Sequence, residues 1–454
     1  MCSGMCGHKS LVVGLAAVLL LGSASLGAAQ QAPELRLDTE DEEEVLDVPP
    51  PPPPDFSKIT IGDDDEPVLL RKKSRTTTDP YAATGVKVGA FRMFPTLEIG
   101  GLATSNVSRD SSDAKSDVGL RLKSGLRFES DWVRHQLTGS ASAEVLEYIG
   151  ENELSTGTAA AQAALRLDIR RTTRADIDAS YALTSTGAED SEVPDSAVGA
   201  RVDHVLASAV AVTHDFGGIE GRLRLGVAYN AFGDVKLSGG GTENNGDRNY
   251  TELSASLRSG LKTGGLLQPF AEVAYEPRIY DKKLDRNGIA RDSQGLRLSA
   301  GVAINDDPVW SGEIAATYTV RDYEDATLET ASAPGISARL TWQPTDLTKF
   351  EFNAGASLSE TITTGSSATR SWNGSMTITH ALRENLDLIG GSTFTIDDTS
   401  SGTDITANGR LAIDWQLNPL VSWSAAYEAT VFAAAAANGD YTDHRVLTSI
   451  ILKR

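Results

Sequence analysis

Cysteine occurs only twice in 454 residues, at Cys2 and Cys6. Past those positions the chain has no thiol for a disulfide framework or a thiolate metal site. Histidine is sparse too, and His135, His204, His214, His380 and His444 stand apart, without the paired spacing that metal sites use. Positive charge is in deficit, 41 Lys+Arg against 62 Asp+Glu for a formal net charge of -21. Neutralising phosphates takes clustered Lys and Arg, so this balance argues against a nucleic-acid partner. Long apolar runs are missing beyond residue 21, which excludes a helical membrane protein. No Gly-x-Ser-x-Gly elbow or phosphate loop occurs. Asp203-His204 and Asp443-His444 are adjacent, and adjacent strand residues point to opposite faces, poor geometry for an acid-base dyad. No catalytic, cofactor-binding or metal residue is assigned, and the chain is expected not to be an enzyme.

What the sequence does contain begins with a targeting pattern. His8 and Lys9 precede an apolar run from Leu11 to Leu21, followed by small residues from Ala24 to Ala29. This is the layout of a secretory signal peptide over residues 1–29, the run being shorter than the ~20 residues a bilayer-spanning helix needs. Both cysteines precede the run, so neither suits a lipoprotein cleavage site. Residues 30–80 read as a disordered acidic and Pro-rich arm, with Glu40 to Glu44, the prolines Pro49 to Pro54, and Asp63 to Glu66. The prolines favour an extended spacer at ~3.1 Å per residue. The arm is either a docking element for a periplasmic partner or a solvated linker. The basic patch Arg71 to Arg75 reads as linker, with contact to anionic lipid headgroups as the alternative.

Beyond Phe94 the chain alternates apolar and polar residues. Examples are Leu120-Arg121-Leu122-Lys123, Leu165-Arg166-Leu167-Asp168-Ile169-Arg170, Leu223-Arg224-Leu225 and Phe350-Glu351-Phe352. A period of two puts every second side chain on one face, as in a strand with one apolar side. Tight links such as Ser130-Asp131, Arg170 to Thr172, Lys262 to Gly265 and Gln343 to Asp346 take turns with longer polar segments. The long ones include Ser105 to Ser116, Gly187 to Ala197, Gly233 to Arg248, Asp281 to Asp292, Tyr323 to Ala333 and Asp397 to Gly402. Short and long connections in alternation predict an all-β transmembrane antiparallel up-and-down β-barrel of about 18 strands, 16 to 18. A lead-in segment over residues 81–94 stands before the barrel, assigned to residues 95–454. The final strand, about Asp443 to Leu452, has ambiguous facing because Val446, Leu447, Ile450, Ile451 and Leu452 break the alternation.

Two expectations concern faces. Phe128, Trp132, Phe216, Phe270, Trp310, Trp342, Phe350, Trp415 and Trp423 lie beside tight turns, and Tyr148, Tyr229, Tyr250, Tyr280, Tyr323, Trp372, Phe394, Phe432 and Tyr441 beside long segments. They are expected to form two belts at the lipid-water interfaces. With the apolar phase on lipid, the candidate lumen-lining residues are Arg121, Lys123, Arg127, Arg166, Arg170, Arg222, Arg224, Arg258, Glu272, Arg297, Glu313, Arg321, Glu351, Arg410, Asp414 and Glu428. Asp168, Asp176, Asp178, Glu252 and Asp387 join them. Such charges either set the field of a pore or pair across strands and stiffen the wall.

Asp79 to Gly101 carries Gly85-Val86-Lys87-Val88-Gly89-Ala90-Phe91 and then Phe94-Pro95, with Asn106-Val107 further on. This segment resembles the opening of the putative β-barrel porin 2 family, with Lys87 in place of that family's usual Arg and Thr104-Ser105 in place of Tyr-Asp. The resemblance implies a Gram-negative outer-membrane barrel, often with a Pro-rich periplasmic lead, and some relatives look connected with polysaccharide export. The chain ends in Lys453-Arg454 rather than the terminal aromatic common among such barrels. The function expected first is a porin-like channel for passive diffusion of small hydrophilic solutes through a charged lumen. The alternatives are an export conduit for an exopolysaccharide or another polymer, and a non-conducting structural barrel. Outer-membrane lipid, lipopolysaccharide and the barrel-assembly machinery are the expected partners, with a periplasmic partner of the arm and a homo-oligomer left open. Much of the acidity sits outside the wall, since residues 31–70 hold 13 Asp+Glu against 2 Lys+Arg. Net charge alone therefore does not set pore preference.

Overall fold

The computed structural model describes residues 80–454 apart from 187–192, 195, 305–306, 360–367, 400–401 and 436–438. The signal-peptide pattern, nearly all of the acidic Pro-rich arm and the basic patch lie outside the described residues.

The described residues form one closed antiparallel barrel of 18 strands. In chain order these are β1 (Phe91–Thr104), β2 (Asp117–Ser130), β3 (Gln136–Tyr148), β4 (Thr156–Arg170), β5 (Thr173–Thr186) and β6 (Arg201–Asp215). They continue as β7 (Ile219–Phe232), β8 (Tyr250–Leu261), β9 (Leu267–Tyr280), β10 (Ser293–Ile304), β11 (Trp310–Tyr323) and β12 (Ala331–Thr345). The last six are β13 (Thr348–Ser359), β14 (Thr369–Arg383), β15 (Leu386–Thr399), β16 (Gly402–Asn418), β17 (Val421–Ala433) and β18 (Tyr441–Lys453). Each strand pairs with its sequence neighbour, and β1 closes on β18 from Thr96↔Lys453 to Thr104↔Arg445. Closure leaves no long free sheet edge, which is how a β structure satisfies its backbone in lipid.

The alternation explains the two faces. On β6, Val202, Leu206, Val210 and Val212 are exposed, while Arg201, Asp203, Ala209, Ala211 and Thr213 are buried. The same sorting exposes Leu120, Leu225, Leu257, Leu296, Leu411 and Ile450. So continuous an apolar exterior would be an aggregation surface in water and is the lipid contact of a membrane barrel. The last strand, ambiguous in the sequence, resolves the same way. Val446, Ile450 and Leu452 are exposed, whereas Asp443 and Tyr441 are buried on the other face, which Leu447 and Ile451 share by alternation.

Two sequence boundaries move. The barrel begins at Phe91 rather than residue 95, because Phe91 to Phe94 already pair with Ser130 to Arg127 of β2. The connection expected from Asp397 to Gly402 shrinks to residues 400–401, since β15 runs to Thr399 and β16 starts at Gly402. Asp398 looked like loop because it is charged, but it sits in the strand and meets Arg370 of β14 at 3.2 Å.

The lead-in motif has a physical basis residue by residue. A short strand, Val86–Val88, pairs with Phe91 to Met93 and so continues along the edge of β1 just beyond the reach of β18. Gly89 turns the chain between them with a φ of 61°, a left-handed value that glycine adopts without steric cost. Gly85 combines a φ of 70° with close packing, as a Cβ there would fall 2.8 Å from the Arg92 Cγ and the Phe94 ring. Lys87 pairs with Asp131 of the β2–β3 turn at 2.9 Å. Phe91 packs edge-on against Phe128 and Trp132.

Closure is reinforced at the other end of the same seam. Asp443 of β18, 2% exposed, accepts the Thr104 hydroxyl at 2.6 Å, the Ser105 hydroxyl at 3.3 Å and the Asn106 N–H at 3.0 Å. Its second oxygen accepts Arg445 Nε at 2.6 Å.

Candidate functional site: the inner wall and the long-loop mouth

The strand period decides which charges look inward, and the pairing register brings them together. Arg121 of β2 reaches Glu98 of β1 at 2.7 Å and Glu144 of β3 at 2.9 Å, with Lys123 3.6 Å from the same Glu144. Arg127 pairs with Glu129 at 3.2 Å and lies over the Phe94 ring. Arg166 pairs with Asp168 at 2.9 Å, whereas Arg170 is exposed at the strand end beside its turn. Arg224 of β7 reaches over β6 to Asp178 of β5 at 2.9 Å, and Arg222 is buried beside it on the same face. Glu351 meets Lys349 at 2.8 Å. Arg410 pairs with Glu428, and Asp414 accepts the Ser424 hydroxyl at 2.6 Å.

The wall from β8 to β11 is the most tightly charged. Arg258 of β8 spans two intervening strands to Glu313 of β11 at 2.7 Å, its guanidinium stacked on Phe270. Arg297 meets Glu276 at 2.7 Å. Arg278 pairs with Glu252, and Arg321, 1% exposed, donates to the Ser293 hydroxyl oxygen at 3.0 Å with Glu252 3.9 Å away. Glu272 is buried on the same face. Burying charge this deeply is tolerated only when each group is paired and hydrogen-bonded.

Less charged is the stretch from β14 to β17, where Arg410 with Glu428 and Asp414 stand among hydroxyls and amides. The face of β14 bearing Ser371, Asn373, Ser375, Thr377 and Thr379 carries hydroxyls and amides but no charge. Across the next three strands Thr430 donates to Asn408 at 2.6 Å, and Asn408 donates to Thr393 at 3.0 Å. The inner wall is therefore two-sided, ion-paired on one part and hydroxyl- and amide-lined on another.

Loops fold over the long-loop end. Residues 105–116 tuck Val107 against Leu102 and Tyr148, while Asn106 donates to the Asp110 and Thr442 carbonyls. The loops after β5 and β7 are knitted by a small sheet of Ala197–Val198, Val235–Leu237 and Thr242–Glu243, and the loop after β9 joins them through Arg286. Arg286 binds Asp247, Glu243 and Asn245 there. Burial alone would raise the Asp247 carboxyl, but the Arg286 guanidinium and backbone N–H bonds outweigh it and hold it at about 2.

The expected aromatic belts need correction. At the short-turn end Trp310, Trp342 and Phe350 stack in a row across three strands, and Trp415 is exposed. Phe270, however, is buried on the inner face under Arg258. At the long-loop end Tyr229 and Phe394 are exposed, while Tyr148, Tyr280, Tyr323 and Tyr441 are buried inside, with Tyr250 packed on Tyr280 and Phe432 on Tyr441. Distance from a turn does not fix the face of a strand residue. Parity does, and Tyr280 shares the parity of Arg278.

Sequence reasoning missed Glu98, Glu144, Arg201, Asp203, Glu276, Arg278, Asp443 and Arg445. Arg201 and Asp203 form a buried bidentate pair at 2.8 Å. All were recoverable by extending the period of two from neighbours already on the inner phase. The adjacent Asp-His pairs do split between faces, since Asp203 and Asp443 bind arginines inside while His204 and His444 meet the hydroxyls of Tyr181 and Tyr427.

Among solved structures the chain is similar to the siderophore receptor PirA from Pseudomonas aeruginosa, at 8% identity and a TM-score of 0.37, covering 81% of each chain. It is also similar to the outer membrane protein OpdK from the same organism, at 11% identity and a TM-score of 0.38, covering 80% of this chain and 99% of that one. No curated protein matches it. The barrel, its lead-in motif and its charged inner face coincide with the family match, and over residues 79–454 the chain belongs to the putative β-barrel porin 2 family.

Proposed function

We propose that this outer-membrane barrel is a channel for passive diffusion of small hydrophilic solutes, with its short turns in the periplasm and its long loops outside. One observation carries the reading. Charged and hydrogen-bonding side chains recur along the inner face, and many of its charges are already neutralised within the wall, as at Arg121 with Glu98 and Glu144 and at Arg258 with Glu313. A barrel of this strand number encloses water, so partly hydrated pairs of this kind line a passage rather than fill a core. Pairs that remain partly exposed add little stability, roughly 0–1 kcal/mol each. Their larger effect is on the field a solute meets, which paired charges keep moderate in either sign.

The test is ion conductance in planar bilayers for the full chain and for a variant lacking residues 31–80. Conductance in both supports a diffusion pore. Conductance that depends on the arm favours an export conduit for a polymer, and silence in both favours a structural barrel.

A further inference from the structure

The wall is not uniformly zipped. The β11–β12 ladder runs unbroken from Trp310↔Trp342 to Arg321↔Ala331, and the β13–β14 ladder from Thr348↔His380 to Ser359↔Thr369. Between them, β12 and β13 pair only at Thr345↔Thr348 and from Trp342↔Phe350 to Ala338↔Ala354. Residues 331–337 of β12 and 355–359 of β13 therefore run past each other without a ladder, at the long-loop end.

The sequence explains the parting. Pro334 has no N–H to donate to a ladder. Gly335 lets the strands overlap, since a Cβ there would fall 2.3 Å from the Ala356 Cβ and 3.1 Å from the Thr317 hydroxyl on the inner face. The end of β13 thus lies over the inside of β12 instead of beside it. Leu358, 4% exposed, packs on Tyr323, Ala331 and Ala333 within the barrel.

The backbone carbonyls along this overlap are collected by side chains. Arg370 Nε donates to the Ser332 carbonyl at 2.7 Å, and Trp372 Nε1 to the Pro334 carbonyl at 3.1 Å. The Arg278 guanidinium approaches the Leu358 carbonyl at 3.4 Å from inside. Among the described residues the strands share no ladder here, so separating them chiefly breaks side-chain contacts that can re-form. Beside these donors, both sides of the overlap carry apolar side chains. Ile336 and Tyr318 are exposed to lipid at 56% and 47%, and the Tyr323, Leu328, Leu358 cluster, with Ile289 against it, lies immediately within.

We propose that the β12/β13 overlap is a side port through which a single-chain acyl amphiphile passes between the barrel interior and the adjoining leaflet. An acyl chain fits this path because it makes no hydrogen bonds and gains only from apolar contact, which the overlap offers from its outer lip to its inner cluster. The port stands on the overlap and not on solute conduction, so the two readings succeed or fail separately.

The probe is palmitate carrying a mid-chain diazirine, irradiated with the full chain in phospholipid vesicles, with adducts mapped by peptide mass spectrometry. Adducts on Leu328, Ala333 or Leu358 as well as on Ile336 and Tyr318 are expected, and adducts confined to the outer residues would overturn the port. Leu358→Arg places a charge in the path and should lower interior labelling at least ten-fold in a chain whose circular dichroism shows the barrel folded. Interior labelling indifferent to Leu358→Arg shows that palmitate enters through the mouth and contradicts the proposal.

Discussion

Asp443 accepts the Thr104 hydroxyl at 2.6 Å across 339 residues of sequence, tying the last barrel strand to the end of the first. Because Asp443 is buried and also serves Asn106 N–H and Arg445, its loss would strand several donors at once. Asp443→Ala should destabilise the barrel by about 3 kcal/mol, and Asp443→Asn, which keeps one acceptor oxygen, by about 1–2 kcal/mol. Urea unfolding in detergent micelles measures both, and equal midpoints for wild type and Asp443→Ala would remove this latch from the account.

The ion pairs make a signed prediction for selectivity. Replacing Glu98 and Glu144 together by Gln leaves Arg121 and Lys123 without the carboxylates they meet at 2.7–3.6 Å. The lumen should then shift toward anions, and Arg121→Gln should shift it toward cations. Reversal potentials in a salt gradient decide it, with shifts of opposite sign expected. Shifts of the same sign, or none, would mean these charges lie off the conduction path.

Acid should open the mouth loops late. The Asp247 carboxyl is held at about 2, below its ordinary value, so its pairing contributes stability that is complete above about pH 4 and is lost as pH falls toward 2. Pepsin should therefore leave the loop over residues 233–249 largely intact at pH 4 and cut it progressively toward pH 2. Arg286→Gln should allow cutting already at pH 4. Equal cutting of wild type and variant at pH 4 would show that this pair does not order the loop.

Gly85 should be intolerant of any side chain. Its φ of 70° and the 2.8 Å approach of Arg92 and Phe94 mean that Gly85→Val releases the lead-in strand from β1. Trypsin should then cleave after Lys87 in a chain that keeps its barrel, while wild type resists at that bond.

The barrel was legible because lipid imposes one rule on every strand, and that rule prints a period of two into the sequence. Leu223-Arg224-Leu225 and Phe350-Glu351-Phe352 could be nothing else. Tyr280 and Phe270 were misplaced because their nearness to turns was weighed above their parity with Arg278 and Glu272. The β12/β13 overlap could not be read, although Pro334-Gly335 marked the spot. A proline in a strand signals a missing donor, but where the neighbouring strand goes instead depends on Ala356 and Leu358 of the following strand. Arg258 and Glu313 illustrate the same limit, since strand order places them on one wall but only barrel curvature brings them to 2.7 Å.

The polar wall is proposed to enclose a path for water and small solutes. Planar-bilayer conductance of the full chain, beside a variant lacking residues 31–80, tests it most directly. Stable ohmic steps are expected from both, with a single-channel value unchanged by removal of the arm. No conductance from either protein, with the barrel shown folded by its circular dichroism, would contradict it.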